Sequence, residues 1–438
     1  MTTVAEKIID TEEIESILSG VGGGGGGGGE KLSRILERAG ECRGLSLEEA
    51  AVLLSVEEPE TLERIYQKAG EVKLKIFGRR VVLFAPLYLS NHCSNGCLYC
   101  GFRSANRELP RKALSEDEVV AEARTLEGLG FKRILMVLGE DAATGLDYIL
   151  RSVRAVYCET GIRIVHLNAP PMGVDELKEL KKAGVGVYQA FQETYHRPTY
   201  ERMHPTGKKG KKSDYDRRLG VMTRALRAGF EDVGIGPLLG LYDYKYDSLA
   251  TIAHTRHLYD EFGTHAHTIS VPRLRPAEGS ALGAPPHPVT DEELKKTVAV
   301  FRLAVPTAGV VVSTRESAPL RKNLIHIGAS QLSAASRTAP GGYTAAKEET
   351  LKQFATEDHA SLGEVMASIA AEGFLPSLCT TCYRTGRVGS NFNAIATAGG
   401  MKGFCQANAI LTLKEYLLDT ASNGRGEALE KALDLAMD

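Results

Sequence analysis

Arg80-Val-Val-Leu-Phe-Ala-Pro86 is followed, after four residues, by Asn91-His-Cys93-Ser-Asn-Gly-Cys97-Leu-Tyr99-Cys100. The first segment is a short apolar run of the kind that forms a buried strand. The second sets three cysteines in a Cys-x3-Cys-x2-Cys spacing on one short loop, with an aromatic, Tyr99, directly before the third. Three thiolates so placed can hold three irons of a four-iron cluster, which leaves the fourth iron without a protein ligand. An open coordination position is where a small molecule is bound and activated, so the loop points to catalysis more than to storage. A structural zinc knuckle is the competing reading. It needs a fourth ligand, yet His92 points the other way along a tight loop and the next cysteine is Cys158.

The strand that introduces this loop is the first of a series. Apolar segments at 80–86, 132–138, 163–168, 186–192, 232–237, 266–271, 309–314 and 329–333 alternate with helical patterns at 115–129, 147–160, 175–183, 214–228, 246–262, 291–304 and 319–327. This alternation is the sequence form of a TIM-type (β/α)8 barrel. Barrel chemistry sits at the C-terminal strand ends, and unusual polar residues cluster there. The cysteine loop follows strand one, Gly139-Glu140-Asp141 strand two, Gln192-Glu193-Thr-Tyr-His196 strand four and Pro272-Arg273-Leu-Arg275 strand six. Ser313-Thr-Arg315-Glu316 closes strand seven, and residues 330–337, with Ser330 and Ser333, surround strand eight.

The 438 residues exceed a single small domain, and we expect three parts: an N-terminal helical extension over 1–78, the barrel over 79–357 and a mostly helical C-terminal domain over 358–438. In the first part, helical spacing appears at 13–18, 30–39, 46–54 and 58–66, with Ser46 and Glu49 as a capping box. Eight glycines, Gly22 to Gly29, interrupt it; they read as a flexible connector and not as a phosphate loop, because Glu30 precedes Lys31 and no Lys-Ser or Lys-Thr follows. Lys and Arg number 53 against 55 Asp and Glu, so the net charge of -2 disfavours polyanionic partners such as nucleic acid or anionic membranes. No window is apolar for long enough to span a bilayer and the start of the chain is acidic, which leads us to expect a soluble cytoplasmic protein. The run 208–212 reads as a solvated basic loop.

Eight cysteines are too few for a disulfide scaffold, and six fall into two clusters, so thiols of this chain suit metal in a reducing compartment. Cys42 and Cys158 stand alone in helical patterns and read as inert core thiols. The second cluster is Cys379-Thr-Thr-Cys382 with Cys405. It again offers three thiolates with no histidine after His359, so a second open-cornered cluster is favoured over zinc with a distant fourth ligand.

The Cys93/Cys97/Cys100 spacing resembles that of radical S-adenosylmethionine (SAM) enzymes. More closely, the chain resembles the HydG family, the tyrosine lyases of [FeFe]-hydrogenase maturation, relatives of the thiazole-pathway 2-iminoacetate synthases. The likeness covers about Leu45 to Tyr416 and rests on Phe84-Ala-Pro-Leu-Tyr88, Cys93 to Gly101, Phe191 to His196, Asp232-Val-Gly-Ile-Gly236, Gly240 to Tyr244, His267 to Arg273, Ser313 to Glu316 and Cys379 to Arg387. The tail cysteines select the maturase branch, because the thiazole-pathway enzymes lack them.

The resemblance implies two [4Fe-4S] clusters and SAM, the C-terminal cluster carrying an extra iron with His267 as its ligand. It implies cleavage of L-tyrosine at Cα-Cβ to p-cresol and dehydroglycine, the latter giving carbon monoxide and cyanide. An electron donor and other hydrogenase-maturation proteins are the implied partners. Arg315 would fork onto the substrate carboxylate with Ser330 or Ser333 near its polar head. Glu140 would take the SAM ammonium, and Gln192, Glu193 and Tyr99 would contact other parts of SAM. Glu140 and Glu193 could equally be acids paired with a barrel arginine, while Arg273 and Arg275 could also bind carboxylates. His265 and His267 flank Ala266, so only one of them can face the chamber. The chain departs from the family at Val137 and at His166-Leu-Asn-Ala-Pro-Pro-Met172, which leaves open a lyase of another aromatic amino acid or a thiazole-type enzyme. A non-catalytic iron-sulfur carrier is the remaining class, and the polar strand ends argue against it.

Overall fold

Eight parallel strands close on themselves in the order β1(Arg80–Ser90), β2(Arg133–Leu138), β3(Ile164–Asn168), β4(Val185–Gln189), β5(Asp232–Ile235), β6(Thr268–Ser270), β7(Gly309–Val312) and β8(Gln331–Ser333), with β8 pairing back to β1. The computed structural model describes residues 8–21, 28–205, 210–345, 352–420, 429, 430 and 433. Helices follow the strands around the outside, so the chain is a (β/α)8 barrel with helical termini. Gly22–Gly27 and Lys208–Lys209, which belong to the expected connector and basic loop, lie outside the described residues. None of the described helices is long and apolar enough to cross a membrane.

Strand β1 runs four residues past its expected end because Leu87, Tyr88 and Leu89 are buried and continue the ladder, Leu87 opposite Met136 and Tyr88 opposite Val137. Its other end holds a feature that periodicity did not reveal. A ninth strand, β9(Leu375–Ser377), pairs with Arg80–Val82. Val82 faces Gln331 of β8 on one side and Ser377 on the other, so β9 lies below the start of β2 and carries Cys379 to the N-terminal mouth of the barrel. At about 3.3 Å per residue, the eleven residues of β1 separate the two cysteine clusters by roughly the barrel's height.

The helices start where local chemistry dictates. Ser46/Glu49, Ser115/Glu118, Thr290/Glu293 and Ser361/Glu364 each form a reciprocal capping box. The helix Pro59–Phe77 is longer than its first apolar turns suggest, because Leu62, Ile65, Ala69, Val72, Ile76 and Phe77 keep one stripe buried until Gly78 ends it at φ 63°. This helix packs on Asp291–Ala304 and Ala318–Ile327 and ties the N-terminal extension to the barrel. Cys42 is buried but sits just past its helix at φ 61°, and Cys158 is exposed, which corrects its reading as a core thiol: the inward stripe of its helix is Ile149, Val153 and Val156.

Arg302 joins three segments from a fully buried position. Its guanidinium donates to the carbonyls of Pro306, Ala308 and Gly328 and to Ser330 Oγ, and it lies 4.9 Å from the Phe77 ring centroid. Arg302→Leu leaves those carbonyls unsatisfied; it is expected to destabilise the fold by about 3 kcal/mol, read as a lower urea midpoint by far-UV circular dichroism.

Candidate active site and second cysteine site

A cavity of about 240 Å³ occupies the barrel interior. At the C-terminal end of the strands it is lined by Cys93, Cys97 and Cys100, and at the other end by Arg133, His166, His267, Gln331 and Tyr383. The thiol loop is held from several sides. Ser94 N donates to Glu140 O at 2.8 Å, Leu98 N to Met203 O at 3.0 Å and Lys212 N to Asn95 Oδ1 at 2.9 Å. Gly139, at the end of β2, touches the loop so closely that a Cβ there would lie 2.3 Å from His92 O and 2.9 Å from Cys93 Cβ.

The donor set fits an iron-sulfur cluster. Asn95 Nδ2 approaches Cys93 Sγ at 3.7 Å and Gln353 Nε2 approaches Cys100 Sγ at 3.8 Å, the amide contacts that tune cluster thiolates. Burial pushes the Cys97 thiol up to about 12, so iron has to displace its proton on binding.

The predicted acids both border the cavity, and both are paired. Glu140 accepts from Arg217 Nη1 at 2.9 Å and from Asn95 Nδ2 at 2.8 Å, with the remaining lone pairs of its carboxylate still available to an ammonium. Glu193, at φ 73°, pairs with Lys212 and, at 3.5 Å, with Arg218. Burial opposes its charge, but these two cations outweigh it and hold the carboxyl at about 2. Lys212 is therefore a nearly buried counter-ion, which corrects its placement in a solvated loop. Tyr99 borders the cavity with its hydroxyl 2.8 Å from His204 Nε2.

Three expectations are corrected. Gln192 does not line the cavity; its side chain is buried with neither amide atom partnered, because side chains alternate and Phe191 and Glu193 take the inward places. Ser330 also lies off the cavity, bound to Arg302, while Ser333 does line it and accepts from Thr314 N at 3.2 Å. Arg273 and Arg275 are both spent on Glu316, each with a 3.0 Å contact. Arg315 differs from them: it lines the cavity 3.4 Å from the Phe354 ring centroid, and among the described residues it forms no ion pair. Among the described residues its guanidinium donates one hydrogen bond, to Arg273 O at 3.3 Å.

The lower end of the cavity meets the second cysteine site. Arg133, His267, Gln331 and Tyr383 line both the cavity and a smaller pocket that contains Cys379, Thr381 and Cys382. Cys405 is buried beside them, its thiol raised by burial and by the neighbouring Cys382 and Cys379. His267 stands at the start of β6 and faces inward, its Nε2 3.3 Å from Tyr383 Oη, while His265 stacks outward on Tyr259. Arg133 Nη2 donates to Cys379 O at 2.8 Å and fixes the tail loop to β2.

A Radical SAM superfamily model matches residues 87–255, and a Biotin and Thiamin Synthesis associated domain model matches 270–375. The 2-iminoacetate synthase of Escherichia coli K12 is 36% identical over 349 residues, 79% of this chain and 90% of that enzyme. The chain belongs to the radical SAM superfamily, in the branch of the 2-iminoacetate synthases and HydG maturases. A crystal structure of HydG, a maturase of the [FeFe]-hydrogenase, superposes with a TM-score of 0.93 at 43% identity, covering 99% of this chain and 94% of that one. The HydG of Carboxydothermus hydrogenoformans superposes at 0.83 with 35% identity over the whole of both chains. A [4Fe-4S] cluster and SAM come with this membership.

Several residues at the site escaped the sequence reading. Arg217, Arg218 and Lys212 arrive from the segment after β4 and have no motif; only a predicted need for counter-ions to two buried acids could have found them. Asp247 is another. It accepts from Thr194 Oγ1 at 3.0 Å and Tyr195 N at 2.7 Å and so pins the turn that presents Glu193. Burial lifts its carboxyl to about 7. A raised acid costs stability as pH climbs from its unfolded value towards 7, since the unfolded chain ionises first. Asp247→Asn removes that penalty, so the stability difference between variant and wild type is expected to grow in favour of the variant from pH 5 to 7 by up to about 1.4 kcal/mol per pH unit, measured by urea unfolding across that range.

Proposed function

We propose that this chain is a radical SAM carbon-carbon lyase that splits L-tyrosine into p-cresol and dehydroglycine and converts the latter to carbon monoxide and cyanide for an iron-bound precursor of a hydrogenase cluster. The observation that carries this reading is a barrel cavity with the Cys93, Cys97 and Cys100 trio at one end and, beyond its floor, a smaller pocket with Cys379 and Cys382, Cys405 being buried beside them. The HydG and 2-iminoacetate synthase relatives support the first half of the chemistry, and Cys379, Cys382 and Cys405 support the second.

When bound, the reduced cluster and SAM supply the carbon radical that takes hydrogen from the substrate. The protein's part is to bind, orient and exclude water. Arg315, a guanidinium beside the thiol loop that lines the cavity and forms no ion pair among the described residues, receives the substrate carboxylate, with Ser333 near the polar head. Glu140 offers a carboxylate to the methionyl ammonium, and Glu193 and Tyr99 complete the wall on that side. The enclosing apolar groups Tyr88, Phe102, Leu135 and Val137 keep the reacting carbon from water. Val137, where the family pattern carries an acid, leaves this wall apolar.

The balance of the reaction fits a closed chamber. Dehydroglycine splits into one carbon monoxide, one hydrogen cyanide and one water with no atom left over, so no further oxidant has to enter. Its exit towards Tyr383 and the tail cysteines keeps it from hydrolysis to glyoxylate. An electron donor and a protein that receives the iron product are the partners this reading requires.

Anaerobic incubation of the iron-reconstituted protein with SAM, dithionite and tyrosine tests it, with p-cresol, cyanide and carbon monoxide assayed together. All three are expected. Cresol without carbon monoxide would move the assignment to a 2-iminoacetate synthase, and turnover of another aromatic amino acid in place of tyrosine would end the tyrosine claim. Arg315→Ala is expected to lower kcat/KM for tyrosine by roughly 100-fold. A Cys379→Ala, Cys382→Ala double variant is expected to make cresol and no iron carbonyl, followed by infrared spectroscopy.

A further inference from the structure

The pocket beyond the cavity floor holds an arrangement that the cysteines alone do not explain. Asp232, at the start of β5, is nearly fully buried. Its Oδ1 accepts from Gly389 N at 2.9 Å. Among the described residues its Oδ2 has no hydrogen-bond partner and lies 3.4 Å from His267 Nδ1, which likewise has none. Two complementary polar atoms thus face each other in a buried place, just outside good hydrogen-bond geometry. On the opposite edge of the ring, Nε2 points into the pocket of Cys379 and Cys382 and meets the Tyr383 hydroxyl at 3.3 Å.

We infer that Asp232 is the positioning residue of His267, holding the imidazole as its Nδ1–H form with the Nε2 lone pair aimed at a divalent iron beside the tail cysteines, and that the Tyr383 hydroxyl is the internal group which this iron displaces. The inference rests on the reading that the tail site carries an iron beyond its cluster. The chemistry follows from the three groups. A carboxylate behind a histidine fixes the tautomer and raises the basicity of the other nitrogen. Protonation at Nδ1 leaves Nε2 as an acceptor, which agrees with a phenol donating to it. A cation that binds Nε2 needs no proton to leave the imidazole; it only has to break one hydrogen bond from Tyr383. The ring is wedged for this role by Phe392 at 5.4 Å and by Tyr383 itself at 6.1 Å between centroids.

The two neighbours are thereby given opposite effects on one measured quantity. Protein reconstituted with its clusters is titrated anaerobically with ferrous ion alone, and iron bound beyond the clusters is counted after equilibrium dialysis. Wild type is expected to bind one further ferrous ion per chain, and His267→Ala to lose it. Asp232→Asn is expected to weaken that ion by about 10- to 100-fold, with Asp232→Glu recovering part of the affinity. Tyr383→Phe removes the displaced hydroxyl and keeps the ring, so its affinity is expected to rise several-fold. A merely structural pair would weaken binding in both variants. Wild-type affinity in Asp232→Asn, or weaker binding in Tyr383→Phe, overturns the inference while leaving the tail-iron reading intact. Absence of a His267-dependent ferrous ion in wild type overturns that reading, and the inference with it. Should Asp232→Asn fail to fold for want of the Gly389 contact, the rise in Tyr383→Phe alone decides.

Discussion

One strand, β1, is paired along nearly the whole of one side, first by β9 and then by β2, with β8 on its other side, and that ladder sets the geometry of the chemistry. Its C-terminal half pairs with β2, its middle with β8 and its first residues with β9. A strand end left open at the barrel's lower mouth would expose unpaired amides, and β9 covers it. In doing so it brings Cys379 to one end of an element whose other end runs into Cys93. Two thiol trios that are far apart in sequence are thus fixed at the two mouths of the same barrel by a single ladder.

Inside, charge is almost fully accounted for. Glu140, Glu193 and Glu316 each face one or two arginines or lysines, and each pair is buried enough that removing one member would strand the other. Unpaired charge in such a place is costly, so a cavity cation without a carboxylate is informative. Arg315 keeps its guanidinium on the cavity, stacked over Phe354, without a carboxylate among the described residues. Stacking suits a weakly hydrated cation in such a place, and Glu316, its neighbour in sequence, does not pair with it because Arg273 and Arg275 already hold that carboxylate.

The barrel was legible because its strands are short, apolar and separated by amphipathic helices, so period and length agreed at all eight places. The cysteine loop was legible because its spacing has few other uses. Other parts were hidden for physical reasons. The segment 375–377 is too short and too poor in β-branched residues to announce a strand, and only its partner in β1 makes it one. Gln192 and Ser330 were misplaced because the residues that face inward at a strand end depend on where regular pairing stops; β4 ends at Gln189 and β8 begins at Gln331. Lys212 read as solvated because a run of lysines usually is, and here a buried glutamate in a left-handed turn draws one of them inward.

Barrel enzymes place their chemistry at the C-terminal ends of the strands, and the lower site departs from that rule. Its groups come from strand beginnings: Asp232 opens β5, Arg133 opens β2, Gln331 opens β8, and His267 directly precedes β6. Such positions ordinarily serve stability, and by themselves they would form a polar floor. What changes their meaning is the tail, which lays Tyr383 and the thiols of Cys379 and Cys382 against that floor. The same four residues, Arg133, His267, Gln331 and Tyr383, then border two compartments at once. That floor of side chains lies between the cavity of the Cys93, Cys97 and Cys100 loop and the pocket of Cys379 and Cys382, so the tail turns what would be a stabilising polar layer into a boundary shared by two cysteine sites.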